Sequence, residues 1–360
     1  MGRELFFCLI LEFNEFMRIL KFAGVVGFIG VIFSLAFYFG WNSAEIKITA
    51  EEAGANLALQ DRQARSVAES LPIEPKKELT LIFVGDIMLS RGVERQIEKH
   101  SDYNYPFLKI ADYLKGADLV FGNLEGPISD RGKNQGSIYS FRDNPKAVEG
   151  LTYAGFDVLS LANNHIMDWG RDALSDAVDI LDKNGIKTVG AGKNYDEANK
   201  PVILEVNGTK IAFLAYTNLL PKSLSAGEDV AGVSDFNLDK IKNKIEEAKK
   251  NADLVLISAH WGEEYQPKAG ALQKKIAHEL IDGGADLIIG HHPHVPEEVE
   301  QYGGGWIFYS LGNFVFDQNF SKETMGGLMV EVKIKDKMIE GVMPIAVKIS
   351  PTFQPYIPTD

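Results

Sequence analysis

The chain has 360 residues, 45% of them hydrophobic, which is enough for one large domain with additional segments. Its formal net charge of −13, with no basic stripe, disfavours nucleic-acid binding and repels a polyanionic ligand wherever no local cation offsets it. A single cysteine, Cys8, excludes an intramolecular disulfide.

In chain order, the first predicted element is a membrane span. Phe22 to Trp41 carries no charge, and a helix of about 20 residues at ~1.5 Å per residue crosses the ~30 Å hydrocarbon core. Gly24, Gly27, Gly30 and Gly40 and the lack of a polar face argue against a helix buried in a soluble domain. Arg18 and Lys21 precede the span, so the positive-inside rule places residues 1–21 in the cytoplasm and everything after the anchor outside it. Cleavage as a signal peptide is the rival reading, with Asn42-Ser43-Ala44 as a weak site. No Cys follows the span for a lipid anchor, and Met17 is an alternative start. Residues 42–78 are Ala-, Glu- and Gln-rich and then carry Pro72 and Pro75, which reads as a stalk and linker.

A globular domain is expected over residues 79–350. Leu79–Val84 is an apolar run ending in Gly85-Asp86. Four more such runs follow a Gly/Asn–Ala/Phe–Asp triplet, at Asp118, Asp157, Asp253 and Asp286. Short apolar runs without alternation predict strands buried on both faces. Helical patterns lie between them at Arg171–Asn184, Leu238–Lys250 and Ala271–Asp282. Pro201–Val206 and Lys210–Tyr216 flank Asn207-Gly208, a hairpin signal. Past residue 300, Trp306–Leu311, Gly327–Lys335 and Met338–Ile349 read as antiparallel strands, with a turn at Lys335-Asp336-Lys337. Two strand sets with outer helices predict an α/β sandwich. The proline-rich tail, residues 351–360, is expected to be irregular.

Ligands of such sheets gather beyond the carboxyl ends of the strands, where five of the seven histidines fall. Asp86 at the first end suits a hard or borderline cation, with helix capping as the rival role. Glu125, one strand over, suits a bridge between two ions or is a solvated loop acid. Asn164 offers an amide oxygen and His165 a proton for a leaving group, unless Asn163-Asn164 serves only turn chemistry. Asp168 either orients His165 or caps the next helix. His260 lies at another strand end. In His291-His292-Pro293-His294, alternate residues of an extended segment point the same way, so His292 and His294 meet one centre and His291 faces elsewhere. His100 and His278 fall on helical stretches. Arg91 and Arg142 are spare cations for an anionic substrate or are simply solvated. This oxygen-and-imidazole set without thiolate suits one or two divalent ions of the Mn, Fe or Zn class.

Gly85-Asp86-Ile87-Met88-Leu89, Asn123-Leu124-Glu125, Phe141-Arg142, Ala162-Asn163-Asn164-His165 with Asp168 and Gly170, His260-Trp261-Gly262 with Glu264-Tyr265, Gly290-His291-His292-Pro293-His294 and Tyr309-Ser310-Leu311-Gly312-Asn313-Phe314 together resemble the CapA capsule-synthesis family over about residues 80–317. The resemblance implies an α/β/β/α sandwich of metallophosphoesterase type and a bacterial envelope setting in poly-γ-glutamate synthesis or export. It also implies an anionic polymer or small envelope substrate and a membrane synthase complex as partner. In the phosphoesterases Asp86, Glu125, Asn164, His260, His292 and His294 match metal ligands, whereas Met88 stands where they carry a ligand His. Three readings follow: an assembly or export factor, a metal-dependent hydrolase of a phosphoester or amide bond, and a non-catalytic partner of a synthase.

Overall fold

A computed structural model describes residues 78–359. The expected span over 22–41 and nearly all of the expected stalk lie outside the described residues. Among the described residues no helix is long and apolar enough to cross a membrane. The first elements are β1 (Glu78–Ile87), α1 (Arg91–His100), α2 (Ala111–Leu114), β2 (Leu119–Leu124), α3 (Val148–Ala154), β3 (Val158–Ser160), α4 (Gly170–Lys183) and β4 (Lys187–Val189). There follow β5 (Ala191–Gly192), α5 (Tyr195–Asn199), β6 (Val202–Val206), β7 (Thr209–Thr217), β8 (Gly232–Val233), α6 (Leu238–Lys249), β9 (Leu254–His260), α7 (Ala271–Asp282) and β10 (Leu287–His291). The chain closes with β11 (Val299–Tyr302), β12 (Gly305–Phe308), β13 (Asn313–Val315), β14 (Gly326–Lys335), β15 (Met338–Ile349) and β16 (Pro355–Tyr356).

Two large sheets result. One runs β16-β15-β14-β1-β2-β3-β4, with β13 also on β1; the other runs β11-β12-β10-β9-β7-β6. Strand alternation divides each sheet's side chains between two layers. Leu81 and Phe83 of β1 join Phe121, Phe213, Leu256 and Ile289 between the sheets. Ile82 and Val84 face the other way, onto Val93 and Ile97 of α1, Leu151 of α3 and Leu174 of α4. On the far side, Leu214, Val255, Ile257 and Ile288 pack on Ile241 and Ile245 of α6 and Ile276 and Leu280 of α7. The layers are therefore helix, sheet, sheet, helix, as expected for an α/β sandwich.

The repeated Asp before four strands has one structural use. Asp118, Asp157, Asp253 and Asp286 each donate their backbone N–H to a carbonyl on the neighbouring strand, at Thr80, Val120, Lys210 and Val255, over 2.8–3.0 Å. The carboxylate of each then accepts the N–H of that same residue, at 2.8 Å in all four cases. The clamp sets the register of β2 on β1, β3 on β2, β9 on β7 and β10 on β9. Strands started level finish level, which brings the polar strand ends together.

Most local expectations hold. The Asn207-Gly208 turn joins β6 to β7, with φ of 50° and 80°, and the β14–β15 turn places Asp336 and Lys337 at φ 51° and 66°. His278 packs against its neighbours, bonding Glu300 at 3.0 Å and stacking on Tyr302. Two features differ. β12 is antiparallel to β11 but parallel to β10, because the chain turns back after β11 and β12 slots between β11 and β10 in the same sheet. The tail is not wholly irregular, since β16 pairs with Lys348 and Ile349 and Gln354 donates to the Tyr105 carbonyl.

Asp157→Ala removes one clamp without touching the strand ends. A loss of about 1.5–3 kcal/mol is expected, measured by urea denaturation followed through tryptophan fluorescence.

Candidate metal centre

The strand ends converge on one cleft, and β1 delivers its centre. Gly85 lets the chain after β12 approach, since a Cβ there would lie 2.0 Å from the Gly312 carbonyl oxygen. Asp86, fully buried, then accepts from Asn123 Nδ2 at 2.8 Å and from the His292 N–H at 3.2 Å. Its two oxygens also lie 3.1 Å from His291 Nδ1 and 3.4 Å from His294 Nδ1. Burial works against its charge, but His291 and His294 outweigh that and hold the carboxyl well below its ordinary range. Asp86 does not cap α1, whose N-cap residue is Ser90.

Glu125 follows β2 and is 0% exposed, yet neither carboxylate oxygen has a hydrogen-bond partner. His165 Nε2 lies 3.7 Å and His294 Nε2 3.8 Å from its Oε1. Burial, above all, pushes its pKa up to about 7. Ligand atoms of Glu125, His292 and His294 all lie within 4.8 Å of one another. An oxygen pair stripped of water and donors, between two imidazoles, fits a divalent cation. His292 adds a buried Nδ1 without a partner, and burial lowers its pKa to about 4, so it presents a neutral ring.

His260 and Asn164 extend the cluster. His260 Nε2 is 2.8 Å from Asn164 Oδ1, and its ring centroid is 5.0 Å from that of His292. Burial holds His260 well below the usual histidine range. All six residues expected to hold metal thus line one cleft. Met88, in place of a histidine, is buried, and its sulfur accepts from Ser90 Oγ at 3.0 Å.

His165 Nδ1 is 2.7 Å from Asp168 Oδ2. A carboxylate only accepts, so Nδ1 carries the proton and Nε2 turns toward the cleft. The same Oδ2 accepts the Phe141 N–H at 2.9 Å, and the Phe141 ring lies 4.0 Å from the imidazole. Asp168 therefore orients His165. Helix α4 is capped at Trp169 without a side-chain bond.

Two readings need correction. Arg91 is not a spare cation: Asp317 pairs with it at 2.9 Å and also accepts the Gly92 N–H. Arg142 stacks on Trp169, 3.5 Å from the ring centre, with Nη1 donating to the Asp130 and Arg131 carbonyls. His291 does not face elsewhere. It ends β10 against Asp86, because the chain leaves the extended form at His292 (φ 97°) and His294 (φ 59°). Alternation does not govern such a turn.

The sequence reading assigned no role to Asn313 or Gln318. Asn313 Nδ2 donates to Gln318 Oε1 and to the Thr324 carbonyl, so its Oδ1 is the acceptor for His294 Nδ1 at 3.0 Å. This leaves Nε2, which faces Glu125, as the ring nitrogen a cation would use; burial works against a charge on His294, but Glu125 and Asp86 outweigh it and raise the pKa to about 9, so an ion binding there would displace a proton. Asn313 sits in the Tyr309–Phe314 motif, a signal that was visible; Gln318 had none.

Asp143 braces the loop after β1, accepting the Leu89 N–H at 3.1 Å. Burial, partly opposed by backbone donors at Leu89 and Ser90, raises its pKa to about 8. An unfolded Asp titrates near ~3.9. The raised group contributes fully below that pH, and its contribution is lost as pH rises through about 8. Asp143→Asn, which cannot ionise, should therefore gain stability relative to the parent chain between pH 5 and pH 9. Paired thermal melts across that range measure it, and parallel curves would show that Asp143 is ionised throughout.

The fold and cleft define an α/β sandwich with a buried acid–histidine cluster at its strand ends. Residues 80–318 match the family described as bacterial capsule synthesis protein PGA_cap, and the chain belongs to that family. It is 37% identical over 268 residues to the capsule biosynthesis protein CapA of Bacillus anthracis, covering 72% of this chain and 65% of that protein, just under two thirds of its length. It is also 37% identical over 261 residues to the PGA biosynthesis protein CapA of Bacillus subtilis, covering 71% and 68%. Among solved structures, a phosphatase from Mycoplasma pneumoniae aligns with a TM-score of 0.48 at 16% identity, covering 76% of this chain and 95% of that one.

Proposed function

We propose that this chain is a membrane-anchored envelope protein of capsule or poly-γ-glutamate biosynthesis or export. On this reading its sandwich is of the metallophosphoesterase type and holds one or two divalent ions of the Mn, Fe or Zn class. The observation that carries the metal reading is Glu125, a buried carboxylate with no donor, set between His165 and His294. Family membership supports the envelope role, and the uncharged run at residues 22–41 supports the anchor and an extracytoplasmic domain.

Glu125, His292 and His294, with Asp86, Asn164 and His260 around them, would hold the ion. When bound it supplies Lewis-acid polarisation of a substrate oxygen. The remaining chemistry belongs to the chain. Asp168 keeps the His165 proton on Nδ1 and its Nε2 toward the cleft, and the Phe141 ring shields that imidazole from water. A protonated Nε2 could then hand its proton to a leaving group. This arrangement favours a metal-dependent hydrolase acting on the polymer or a small envelope substrate over a purely non-catalytic partner of the synthase.

His292→Ala should lower the metal content of the purified protein, whereas His165→Ala should retain metal and lose most turnover, about 100-fold or more for a general acid. Elemental analysis and a generic phosphodiesterase assay report the two effects. Equal metal content in parent and His292→Ala would sink the metal reading. For topology, alkaline phosphatase fused after Asp360 should be active in a bacterium, and an inactive, stably expressed fusion would reverse the orientation.

A further inference from the structure

A groove with a cavity of about 690 Å³ runs along the start of α4, within the roughly 300–1,000 Å³ of ordinary ligand sites. Its floor carries Met167, Trp169 and Arg171, and so begins two residues after His165; its wall carries Gly132 and Lys133, and Leu224 also lines it. Wall and floor are tied together. Lys133 donates its N–H to the Trp169 carbonyl at 3.1 Å, and Gln135 donates to that of Asp168 at 2.8 Å. Gly132 permits this approach, since a Cβ there would lie 2.0 Å from the Trp169 carbonyl oxygen. Asp168 also holds His165, so groove and cleft share one backbone segment.

Three cations gather here without carboxylate partners among the described residues. Arg171, half-buried, donates through Nη1 to the Ala231 carbonyl and through Nη2 to the Ser223 carbonyl at 2.7 Å. Arg142 stacks on Trp169 and donates to two carbonyls of its own. Lys133 is exposed, and its ammonium is unpaired. Carbonyl acceptors fix a guanidinium in place without cancelling its charge. Of the nearby acids, Asp176 is already taken by Arg131 at 3.4 Å and by Ser129 Oγ at 2.7 Å. Asp172, exposed, is the single acid in the lining. In a chain of net charge −13 the groove is thus a local excess of positive charge.

We infer that this groove binds the carboxylates of an acidic polymer chain and leads that chain to His165. Lys133 and Arg171 meet the carboxylates, and Arg142 adds its charge from behind Trp169. Met167, Leu224 and the Trp169 indole cover the apolar stretches between the carboxylates. The inference rests on the poly-γ-glutamate reading above and adds where on the chain that polymer lies. It also answers the charge problem raised by the composition, because here local cations offset a net charge that elsewhere repels a polyanion. A neutral ligand would leave those cations without a counter-charge.

The test uses the full chain in detergent, loaded with manganese, and fluorescently labelled poly-γ-glutamate of defined length, with anisotropy read at several salt concentrations. Lys133→Glu should bind the polymer about tenfold more weakly and with a shallower salt dependence, while its manganese content stays at the parent level. Lys133→Arg should bind like the parent, since charge is invoked, and Lys133→Gln/Arg171→Gln should lose at least as much as Lys133→Glu. Lys348→Glu makes the same charge change at an exposed site on β15, toward the opposite edge of the sheet from β4, and should bind like the parent. The parent should bind the methyl-esterified polymer far more weakly than the free acid. Parent-like affinity in Lys133→Glu, an equal loss in Lys348→Glu, or equal binding of the ester would each overturn the groove and leave the polymer reading standing. A metal-loaded parent that binds no polymer would overturn that reading and the groove with it.

Discussion

The structure depends on a repeated two-point contact, in which an aspartate just ahead of a parallel strand bonds both the carbonyl and the N–H of one residue on the strand beside it. Parallel ladders have evenly spaced, slanted bonds and little in themselves to select a register. A one-residue slip would also exchange the inner and outer faces of a strand. Here that would drive Leu81 and Phe83 out of the layer between the sheets. It would also move Asp86 out of reach of Asn123 and His292. Register at the entry of each strand therefore decides geometry at its exit.

What the exits hold is costly. Glu125 is buried with both oxygens unbonded, and His291 Nε2 and His292 Nδ1 add further ring nitrogens without hydrogen bonds. Arg91, Tyr265, His292 and His294, none of them glycine, all adopt positive φ around the same cleft. Stranded polar atoms and unfavourable backbone cost roughly 1–3 kcal/mol each. Three well-packed apolar layers offset that cost and keep the side chains from relaxing into better hydrogen bonds. An unsatisfied carboxylate is what a divalent cation can use, and a rigid surround keeps it that way.

Much of this was legible in the residues. Apolar runs marked β1, β2, β9 and β10, helical periodicity marked α4, α6 and α7, and Asn207-Gly208 marked its hairpin, because each signal is local. The six acid, amide and imidazole residues of the cleft could be named because sheets of this kind expose their strand ends together. Arg91 was misread because its partner, Asp317, is distant in the chain. His291 was misread because the alternation rule presumes an extended backbone, which ends at His292.

The sequence by itself determined which segments are strands and helices, which acid, amide and imidazole side chains fall at the strand ends and which family the chain resembles, since all three reside in residue type and spacing. Only the tertiary structure decided that Asn313 binds His294 Nδ1, that Arg91 is already paired, and that Tyr265 and Phe320 pack together from separate loops. Those facts depend on side-chain directions and on contacts between segments far apart in the chain. No local period encodes them; they follow once the clamped registers and the packed layers fix where each loop begins.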